Sequence, residues 1–331
     1  MSKKTKEPFT LVDAIRYFSD QDVCLAFMAN LRWPNGIECP ACGSKEILYI
    51  STRRLWECKC KHAKRQFSVK VGTVFEDSAL ALDKILIAIW LEANSKNSIS
   101  SYELSRTIGT TQKTAWFIQQ RIRLAMQTGT FRKLSGTVEV DETFIGGKAR
   151  NMHKGKRKVT GAGANGKAVV MGLLERHGEV RTFVVPGTTK RQLQPKVREH
   201  VEPKSEVMTD ALASYAGLDR DYVHQVIDHA ECYVRGNVHT NGLENFWALF
   251  KRCIKGTHVS IEPFHLFRYL DAETFRFNYR KQKDAARFTK VVQSVAGKRL
   301  TYRKLTGKEE FGPDSSNDPY GGKGRLSREY W

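Results

Sequence analysis

The main absence from this 331-residue chain is a long hydrophobic run. A helix that crosses a bilayer needs about 20 consecutive apolar residues. The longest candidate, Ile85–Leu91, is short and is followed by polar residues. The N-terminal residues also lack the apolar segment of a secretory signal peptide. These absences argue against a membrane or secreted protein, and we expect the chain to act in the cytoplasm.

Acidic residues are scarce relative to basic residues. Lysine and arginine total 55 against 35 aspartates and glutamates, which gives a formal net charge of +20. A positive excess of this size attracts polyanions, of which nucleic acid is the usual one. We therefore expect nucleic acid as the partner. The alternative interpretation is a basic soluble protein without such a partner.

Cysteines are few, seven in all, but four of them are clustered. A reducing cytoplasm disfavours disulfides, so the cluster indicates a metal site. Cys39 and Cys42 form a first pair, and Cys58 and Cys60 follow after a strand-like stretch, which predicts a zinc ribbon with four thiolate ligands. One residue separates the second pair where two are usual, and His62 is an alternative to Cys60 as the fourth ligand.

Two helices separated by a glycine are predicted downstream of the ribbon. Residues 101–109 end at Gly109, and apolar residues recur at helical spacing from Thr114 to Leu124. This arrangement is typical of a helix-turn-helix, although plain helical hairpins share it. We expect the second helix to present these polar side chains to a DNA groove: Gln112, Lys113, Gln119, Gln120, Arg121 and Arg123.

The pattern changes to strands from residue 136 onward. Three strand-like segments are followed by a helix, two further strands and a long helix, over residues 136–145, 167–175, 179–186, 188–200, 205–209, 222–227 and 240–255. This order predicts a ribonuclease-H-like α/β domain with a mixed sheet. The whole chain is then an α+β multidomain protein in which the zinc ribbon and the helix-turn-helix precede this domain.

Three acidic residues lie far apart in the sequence at positions that suit a nuclease site. Asp141 interrupts the first strand, Asp210 ends the fourth, and Glu244 lies on the last helix. An aspartate in an apolar strand is unfavourable unless it is paired or binds a metal. Carboxylates from two strands and a helix can bind two Mg²⁺ or Mn²⁺ ions, which in-line attack on a phosphodiester requires.

The last helix contributes further polar candidates on one face. Asn241, Glu244 and Lys251 share this face through spacings of three and four residues. Asn241 is an alternative to Glu244 as the third Mg²⁺ ligand, and Lys251 is expected to bind a substrate phosphate. We interpret the neighbouring Glu142 and His239 as supporting or structural. The apolar side of the helix is expected to face the core: Leu243, Phe246, Trp247, Phe250 and Ile254.

A basic, glycine-rich segment, residues 148–166, separates the first two strands. Beside a metal site, such a segment is expected to bind the DNA backbone. A solvated loop with no binding role is the alternative interpretation. The candidate DNA-binding residues in it are Lys154, Lys156, Arg157 and Lys158.

Taken together, these motifs resemble a known family. The zinc ribbon and helix-turn-helix precede Val-Asp-Glu-Thr-Phe-Ile-Gly-Gly at 140–147, Thr-Asp-Ala at 209–211 and His-Thr-Asn-Gly-Leu-Glu-Asn-Phe-Trp-Ala-Leu-Phe-Lys-Arg at 239–252. This order is similar to that of bacterial insertion-sequence transposases, specifically the zinc-ribbon DDE group related to the eukaryotic Merlin elements. Gln-Phe-Ser-Val at 66–69 and Gly-Thr-Val-Phe at 72–75 also match that group.

The resemblance implies a transposase that cleaves DNA at terminal inverted repeats and joins the exposed 3′-hydroxyl to target DNA. It places metal ligands at Asp141 and Asp210, an acidic or amide ligand at Glu244 or Asn241, and a basic residue at Lys251. Synapsis of two ends implies at least a homodimer on DNA. The alternatives are a transcriptional regulator built from the ribbon and helix-turn-helix, and another ribonuclease-H-like nuclease.

These predictions divide the chain into five segments. They are a helical lead-in (1–36), the zinc ribbon (37–78), the helix-turn-helix region (79–132), the catalytic domain (133–290) and a basic, polar C-terminal tail (291–331). The end of the tail is rich in Gly, Ser, Asp and Pro, a composition that disfavours a packed core, so we expect it to be partly disordered.

Overall fold

The computed structural model describes residues 10–127, 132–147, 167–227 and 239–308. These residues form two compact units. Residues 10–127 and 279–308 make up the first unit, and the described residues between 132 and 278 make up the second. None of the helices in the described residues is both long and apolar enough to cross a membrane.

The helices and strands of the described residues are as follows. The helices are α1 (Leu11–Tyr17), α2 (Gln21–Arg32), α3 (Leu82–Asn94), α4 (Ser101–Ile108), α5 (Gln112–Met126), α6 (Lys190–His200), α7 (Asn241–Cys253), α8 (Leu266–Asn278), α9 (Asp284–Gln293) and α10 (Tyr302–Leu305). The strands are β1 (Ile47–Ile50), β2 (Leu55–Cys58), β3 (Gln66–Phe67), β4 (Thr137–Ile145), β5 (Ala168–Glu175), β6 (Val180–Val185), β7 (Glu206–Asp210) and β8 (Val223–Ile227).

Helices α1 and α2 occupy the segment predicted to be helical before the ribbon. Thr10 caps α1 and Asp20 caps α2, each through a side-chain oxygen that accepts a hydrogen bond from a first-turn amide. Such caps satisfy backbone N–H groups that the first turn leaves without partners. Phe27 of α2 stacks on Phe288 of α9, with ring centroids 5.7 Å apart, so the lead-in packs within the first unit.

The small antiparallel sheet β1–β2–β3 forms the predicted ribbon. Its buried side is aromatic. Trp56 of β2 contacts Trp33 and Phe67, with ring centroids 5.5 Å and 6.0 Å away. An apolar cluster of this size is small for an independent module.

Helices α4 and α5 occupy the segment predicted as a helix-turn-helix. Ser100 and Thr111 cap the two helices, and Gly109 ends α4 in a left-handed conformation with φ 60°. Glycine adopts this conformation without the steric cost that a Cβ brings. The turn residue that the sequence indicated is therefore the one that separates the helices.

Gln120 and Arg121 are not exposed as the sequence analysis predicted. Their side chains are 0% and 6% exposed, because this part of α5 packs against α3 and α9. The guanidinium of Arg121 lies over the Phe117 ring, and its Nε donates a hydrogen bond to the Leu300 carbonyl oxygen at 3.2 Å. The expectation that these two residues reach a DNA groove is corrected, since both side chains lie in the interior.

Gln119 and Arg123, also expected at the groove, are buried on Glu92 of α3. Arg123 Nε donates to Glu92 Oε1 at 2.8 Å, and the Gln119 amide donates to Glu92 Oε2 at 3.2 Å. A buried charge is tolerated when it is paired and hydrogen-bonded. Sequence periodicity did not show that α3 supplies a buried carboxylate to this face of α5.

Residues 291–308, predicted as the start of the tail, are packed in the first unit. Val295, Leu300 and Leu305 are buried. Thr73 and Ala296 form an isolated antiparallel bridge. The rest of the predicted tail lies outside the described residues.

The second unit is built on a mixed five-stranded sheet in the order β6–β5–β4–β7–β8. The pairs β4–β5 and β5–β6 are antiparallel, whereas β7 is parallel to both β4 and β8. Helix α6 connects β6 to β7, and α7 follows β8 in the sequence. This is the predicted order of a ribonuclease-H-like domain, and the predicted fold class is confirmed.

Helices cover both faces of this sheet. On one face α6 packs against alternate residues of β4 and β5, namely Val138, Val140, Val169, Met171 and Leu173. On the other face α7 and α8 pack against Ile145, Ala168, Val170 and Leu174. Since side chains alternate along a strand, Glu139 and Asp141 share the α7 face and Glu142 starts from the α6 face.

Candidate active site

The hydrogen-bonded ladder between β4 and β7 ends close to the predicted catalytic aspartates. The parallel pairing of β4 with β7 ends at Glu139 and Met208. The same register extended by about two residues brings Asp141 beside Asp210. Both aspartates therefore lie just past the last paired residues of the β4–β7 ladder. Asp141 is in the middle of β4, opposite Gly172 of β5, and Asp210 ends β7, opposite Ile227 of β8.

Asp141, Glu142 and Asp210 form a carboxylate cluster. One carboxylate oxygen from each residue lies within 4.8 Å of the other two. Oδ1 of Asp141 accepts a hydrogen bond from the Glu142 amide at 2.8 Å, and Oδ1 of Asp210 accepts one from the Leu212 amide at 3.1 Å. These backbone bonds orient the two aspartate side chains.

Burial and mutual repulsion make the carboxylate cluster unfavourable without a counter-ion. Burial raises the pKa of Asp141 to about 6, and the charges of Asp210 and Glu244 act in the same direction. Burial also raises the pKa of Glu142 to about 8, to which the charges of Asp210 and Asp141 add. A cation among the three oxygens would oppose both effects, since it favours the charged form of each carboxyl.

Glu142 shows that the cluster suits a metal ion. Its Oε1 is buried and has no hydrogen-bond partner among the residues that the structure describes. Such an oxygen is unfavourable unless something binds it. Hard divalent cations bind carboxylate oxygens, so the donor set and the unsatisfied oxygen fit Mg²⁺ or Mn²⁺.

Helix α7 is fixed to the sheet at Glu139, two residues before Asp141. Oε2 of Glu139 accepts a hydrogen bond from the Leu243 amide in the first turn of α7 at 3.0 Å, where a carboxylate also complements the helix dipole. Arg176 Nε donates to Glu139 Oε1 at 2.9 Å, and Arg176 also donates to the His239 carbonyl oxygen at 2.9 Å. His239 thus has the supporting position that the sequence suggested.

The three polar candidates of α7, Asn241, Glu244 and Lys251, are all exposed. Glu244 is not in the group of oxygens within 4.8 Å, although its charge raises the pKa of Asp141. Desolvation of the ammonium lowers the pKa of Lys251, and the Asp141 carboxylate opposes this. Glu244 and Lys251 are therefore within electrostatic range of the cluster. The α-helical part of α7 ends at Cys253 and a π-helical turn, Ile254–His258, follows.

A second group of donors lies in the ribbon and comprises Cys39, Cys42, Cys58 and His62. One donor atom of each lies within 4.8 Å of the others. The Sγ atoms of Cys42 and Cys58 are 3.6 Å apart, and Cys39 Sγ is 3.4 Å from His62 Nε2. His62 Nδ1 lies 2.8 Å from the Ala63 carbonyl oxygen, a contact that assigns the ring proton to Nδ1 and leaves Nε2 for a metal. Three thiolates and an imidazole fit a structural Zn²⁺ site.

Cys60 lies beside this group without belonging to it. The Ser44 hydroxyl first, and then the Cys58 thiol, hold the pKa of Cys60 below its usual value. The compact four-donor group instead includes His62, the residue that the sequence analysis gave as the alternative. The short Cys58-Lys-Cys60 spacing explains this, since one intervening residue leaves less room for a turn than two.

The remaining predicted DNA-binding residues lie in two places. Lys113 is exposed on α5, with its Nζ 4.9 Å from the centre of the Tyr302 ring. Gln112 is half-buried and donates a hydrogen bond to Ser101 Oγ at 2.7 Å. The basic residues of the segment between β4 and β5 lie outside the described residues: Lys154, Lys156, Arg157 and Lys158.

The sequence analysis interpreted Glu142 as supporting or structural and gave Glu139 no role. Both carboxylates flank Asp141 in the strand Val-Glu-Val-Asp-Glu-Thr. Charged residues in a β-branched, otherwise apolar strand are a signal that each has a partner. Which partner each has depends on the sheet, because Glu139 meets α7 and Glu142 meets Asp210.

Two family models match the chain. The ISXO2-like transposase domain matches residues 133–278, and the transposase zinc-ribbon domain matches residues 19–63. The first range contains the carboxylate cluster, and the second contains the four-donor group of the ribbon.

Curated relatives agree with these matches. An uncharacterized protein in transposable element ISH50 of Halobacterium salinarum is 28% identical over 275 residues, which cover 79% of this chain and 92% of that protein. An uncharacterized transposase-like protein of Haemophilus influenzae is 37% identical over 102 residues, which cover 30% of this chain and 81% of that protein.

Two solved structures also resemble the chain weakly. They are the Mos1 strand transfer complex, with TM-score 0.24 and 13% identity over 65% of this chain and 79% of that chain, and a pre-cleavage Mos1 transpososome, with TM-score 0.23 and 12% identity over 64% and 79%. These TM-scores are too low to support a common fold.

Proposed function

This chain belongs to the zinc-ribbon DDE transposases of insertion sequences, and on that premise we propose that it cleaves DNA at terminal inverted repeats and joins the ends to target DNA in Mg²⁺-dependent reactions. The principal support is the carboxylate cluster of Asp141, Glu142 and Asp210 on the neighbouring strands β4 and β7. A transcriptional regulator would have no reason to bring three acidic side chains together at a cost in repulsion.

Asp141 and Asp210 are the proposed ligands of the divalent cations. The third ligand is Glu244 or Asn241 from α7, and Glu142 is a further candidate because its Oε1 lacks a partner among the described residues. When bound, two such cations stabilise the attacking and leaving oxygens of an in-line displacement at phosphorus. The residues of the chain fix where those cations bind, through the backbone bonds of the aspartates and the anchoring of α7 at Glu139.

Lys251 is the proposed phosphate-binding residue beside the cluster. Its ammonium is within electrostatic range of Asp141, so a DNA phosphate next to the scissile one would meet a cation there. This contact would position the strand. It carries no sequence information.

The ribbon is proposed to bind one Zn²⁺ through Cys39, Cys42, Cys58 and His62. Zinc supplies folding free energy to a module of this size. Basic residues lie close to these donors in the sequence and would suit the DNA backbone: Arg53, Arg54, Lys59, Lys61, Lys64 and Arg65. Arg54 and Arg65 also pair with Asp22 and Glu57.

Recognition of the element ends is proposed to involve the start of α5 and the basic segment after β4. Lys113 and Gln112 lie at the N-terminal turn of α5, the part of a recognition helix that approaches base edges. Lys154, Lys156, Arg157 and Lys158 would add backbone contacts. The two ends of an element must be held together, so we propose at least a homodimer on DNA and association with the nucleoid.

The test replaces Asp141 or Asp210 with asparagine in the full-length chain. Cleavage of DNA that carries the terminal repeats should fall about 10³-fold or more in Mg²⁺, because a bound metal supplies several kcal/mol of transition-state stabilisation. Strand transfer of precut ends should fall in parallel, since one site serves both steps. Affinity for the terminal repeats, measured by gel shift, should stay unchanged.

The matched control is Asp219→Asn, which removes an exposed aspartate from the same unit and should leave cleavage unchanged. Full cleavage by the Asp141→Asn chain would contradict the proposal. Equal binding to repeat and non-repeat DNA would instead favour a general nuclease. Glu244→Gln, Asn241→Ala and Glu142→Gln then identify the third ligand, since only the loss of that ligand should raise the Mg²⁺ requirement.

A further inference from the structure

The indole of Trp247 makes a polar contact that core packing does not require. The side chain is 4% exposed, and its Nε1 donates a hydrogen bond to Oδ2 of Asp141 at 3.0 Å. An indole N–H is a donor only, so the direction of this bond is fixed. A tryptophan that the helical pattern assigns to the core therefore touches a carboxylate of the cluster.

Together with the backbone, this contact fixes both oxygens of the Asp141 carboxylate. Oδ1 accepts from the Glu142 amide at 2.8 Å, and Oδ2 accepts from Trp247 at 3.0 Å. Rotation of the carboxylate about its last torsion would break both bonds. Each oxygen has two lone pairs, so one on each remains for a cation.

Gly172 provides the space that Trp247 occupies. It pairs with Asp141 across the β4–β5 ladder, so a side chain there would lie on the same face as the carboxylate. A Cβ on Gly172 would lie 2.6 Å from Cζ2 of Trp247 and 2.9 Å from Cδ2 of Leu243. Any larger residue would push α7, and the indole with it, away from Asp141.

We propose that Trp247 is a positioning residue that holds the Asp141 carboxylate in its metal-binding orientation. Gly172 makes this possible, because it has no side chain in the space that the indole occupies. This inference depends on the proposed function, because it assumes that Asp141 binds a divalent cation. Trp247 contacts neither DNA nor metal in this role. Loss of a group that orients a metal ligand typically weakens metal binding about 10- to 100-fold.

The experiment titrates Mn²⁺ into the full-length, zinc-loaded chain by calorimetry, without DNA. Trp247→Phe keeps an aromatic ring in the apolar cluster and removes the donor. The Kd for Mn²⁺ should rise about 10- to 100-fold. The control is Phe250→Leu, which removes apolar bulk from the same side of α7 and leaves the indole in place, so its Kd should match that of the unmodified chain.

The outcomes separate this inference from the proposed function. If Asp141→Asn loses Mn²⁺ binding and Trp247→Phe does not, the positioning role is wrong and the metal site stands. If Asp141→Asn binds Mn²⁺ like the unmodified chain, the metal site itself is wrong. Equal weakening in Trp247→Phe and Phe250→Leu would show a packing effect and overturn the positioning role.

A second measurement does not depend on the folding of Trp247→Phe. The chain has six tryptophans and so six indole N–H signals in a ¹H–¹⁵N spectrum. Substoichiometric Mn²⁺ should broaden the nearest indole first, and that signal should shift in Asp141→Asn. Gly172→Ala retains the indole but should move the same signal and weaken Mn²⁺ binding. An unchanged signal in both variants would overturn the inference.

Discussion

The cysteine cluster of the ribbon and the carboxylate cluster of the sheet are assembled in opposite ways. The ribbon group takes all its donors from the stretch between Cys39 and His62, whereas the carboxylate group joins Asp141 to Asp210 through neighbouring strands. Around the ribbon donors lies a small aromatic cluster. Around the carboxylates lies a sheet with helices packed on both faces. We therefore expect the ribbon to depend on its proposed Zn²⁺ for structure, and the packed sheet to position the carboxylates of the second site.

Metal removal should give the largest difference between the two sites. Structural zinc contributes about 10–16 kcal/mol to the folding of small zinc modules, so chelation should unfold the ribbon. Strands β4 to β8 should stay folded, because their stability comes from the core. Hydrogen exchange read by mass spectrometry should show loss of amide protection in β1–β3 and retention in the large sheet.

A substitution makes the same test without a chelator. Cys58→Ser should release zinc and expose the ribbon amides. Cys24→Ser is the control, because Cys24 is a buried thiol that donates to the Phe18 carbonyl oxygen and lies outside the cluster. A ribbon that keeps its protection after zinc loss would show that the aromatic cluster alone is sufficient.

The second prediction concerns the buried ion pair between Glu139 and Arg176, which lies beside the carboxylate cluster. Glu139→Gln removes the charge that Arg176 pairs with at 2.9 Å, where Glu139 is 1% exposed. Loss of one partner of a buried ion pair costs about 3–5 kcal/mol, and the partial exposure of Arg176 favours the lower end. Chemical denaturation of the second unit should report this loss. Cleavage should fall as well, because α7 loses its anchor beside Asp141.

The matched control for this pair is Glu199→Gln in the same unit. Glu199 pairs with Lys196 at 2.8 Å on the surface, with side-chain exposures of 56% and 38%. Exposed pairs contribute less than about 1 kcal/mol. Similar costs for Glu139→Gln and Glu199→Gln would mean that the Glu139 network does not anchor the helix.

The contrast between the two sites also explains what the sequence could predict. The strands, α6, α7 and the two aspartates follow from local patterns of β-branched and apolar residues, and the structure contains them within a few residues of the predicted bounds. Glu142 could not be assigned to the cluster, because its side chain starts from the opposite face to Asp141. Asp141 and Glu142 can approach the same cluster because the ladder between β4 and β7 ends two residues before Asp141. The end of that ladder has no local sequence signal.

In helix α5 the sequence predicted exposed side chains that the structure shows to be buried. Its polar residues Gln120 and Arg121 were expected on an exposed face, yet both are buried, and Arg121 donates a hydrogen bond to the Leu300 carbonyl oxygen. Glu92 lies in α3 and pairs with Arg123, so a partner distant in sequence decides the burial. Periodicity shows which residues share a face and does not show what covers that face.

Loss of the fourth proposed zinc ligand should have a smaller effect. It tests which residue completes the zinc site of the ribbon. His62→Ala should weaken zinc binding by more than about 10²-fold, since loss of a ligand exceeds the cost of losing an outer partner. Cys60→Ser should weaken it much less, because Cys60 lies outside the compact group. Competition with a chromophoric chelator measures both. If Cys60→Ser weakened zinc binding more than His62→Ala did, the fourth ligand would be Cys60, as in a four-cysteine site.

The smallest effect tests how tightly α7 is packed on the sheet. Gly172→Ala should cost about 1–3 kcal/mol of unfolding free energy, since its Cβ would overlap the indole of Trp247. In a Trp247→Phe background the cost should shrink, because the phenyl ring lacks the Cζ2 atom that lies 2.6 Å from that Cβ. Gly256→Ala, with no atom within 4 Å of the added Cβ, is the control and should change stability by less than about 0.5 kcal/mol.

A double-mutant cycle over Gly172 and Trp247 measures this contact directly. A coupling energy near zero would mean that α7 moves freely over the sheet, and the site would then not be held before the ion binds. A clear coupling, together with the loss of Mn²⁺ affinity in Gly172→Ala, would mean that the packing which stabilises the sheet also orients Asp141. The ribbon donors differ, because all four come from the single segment between Cys39 and His62.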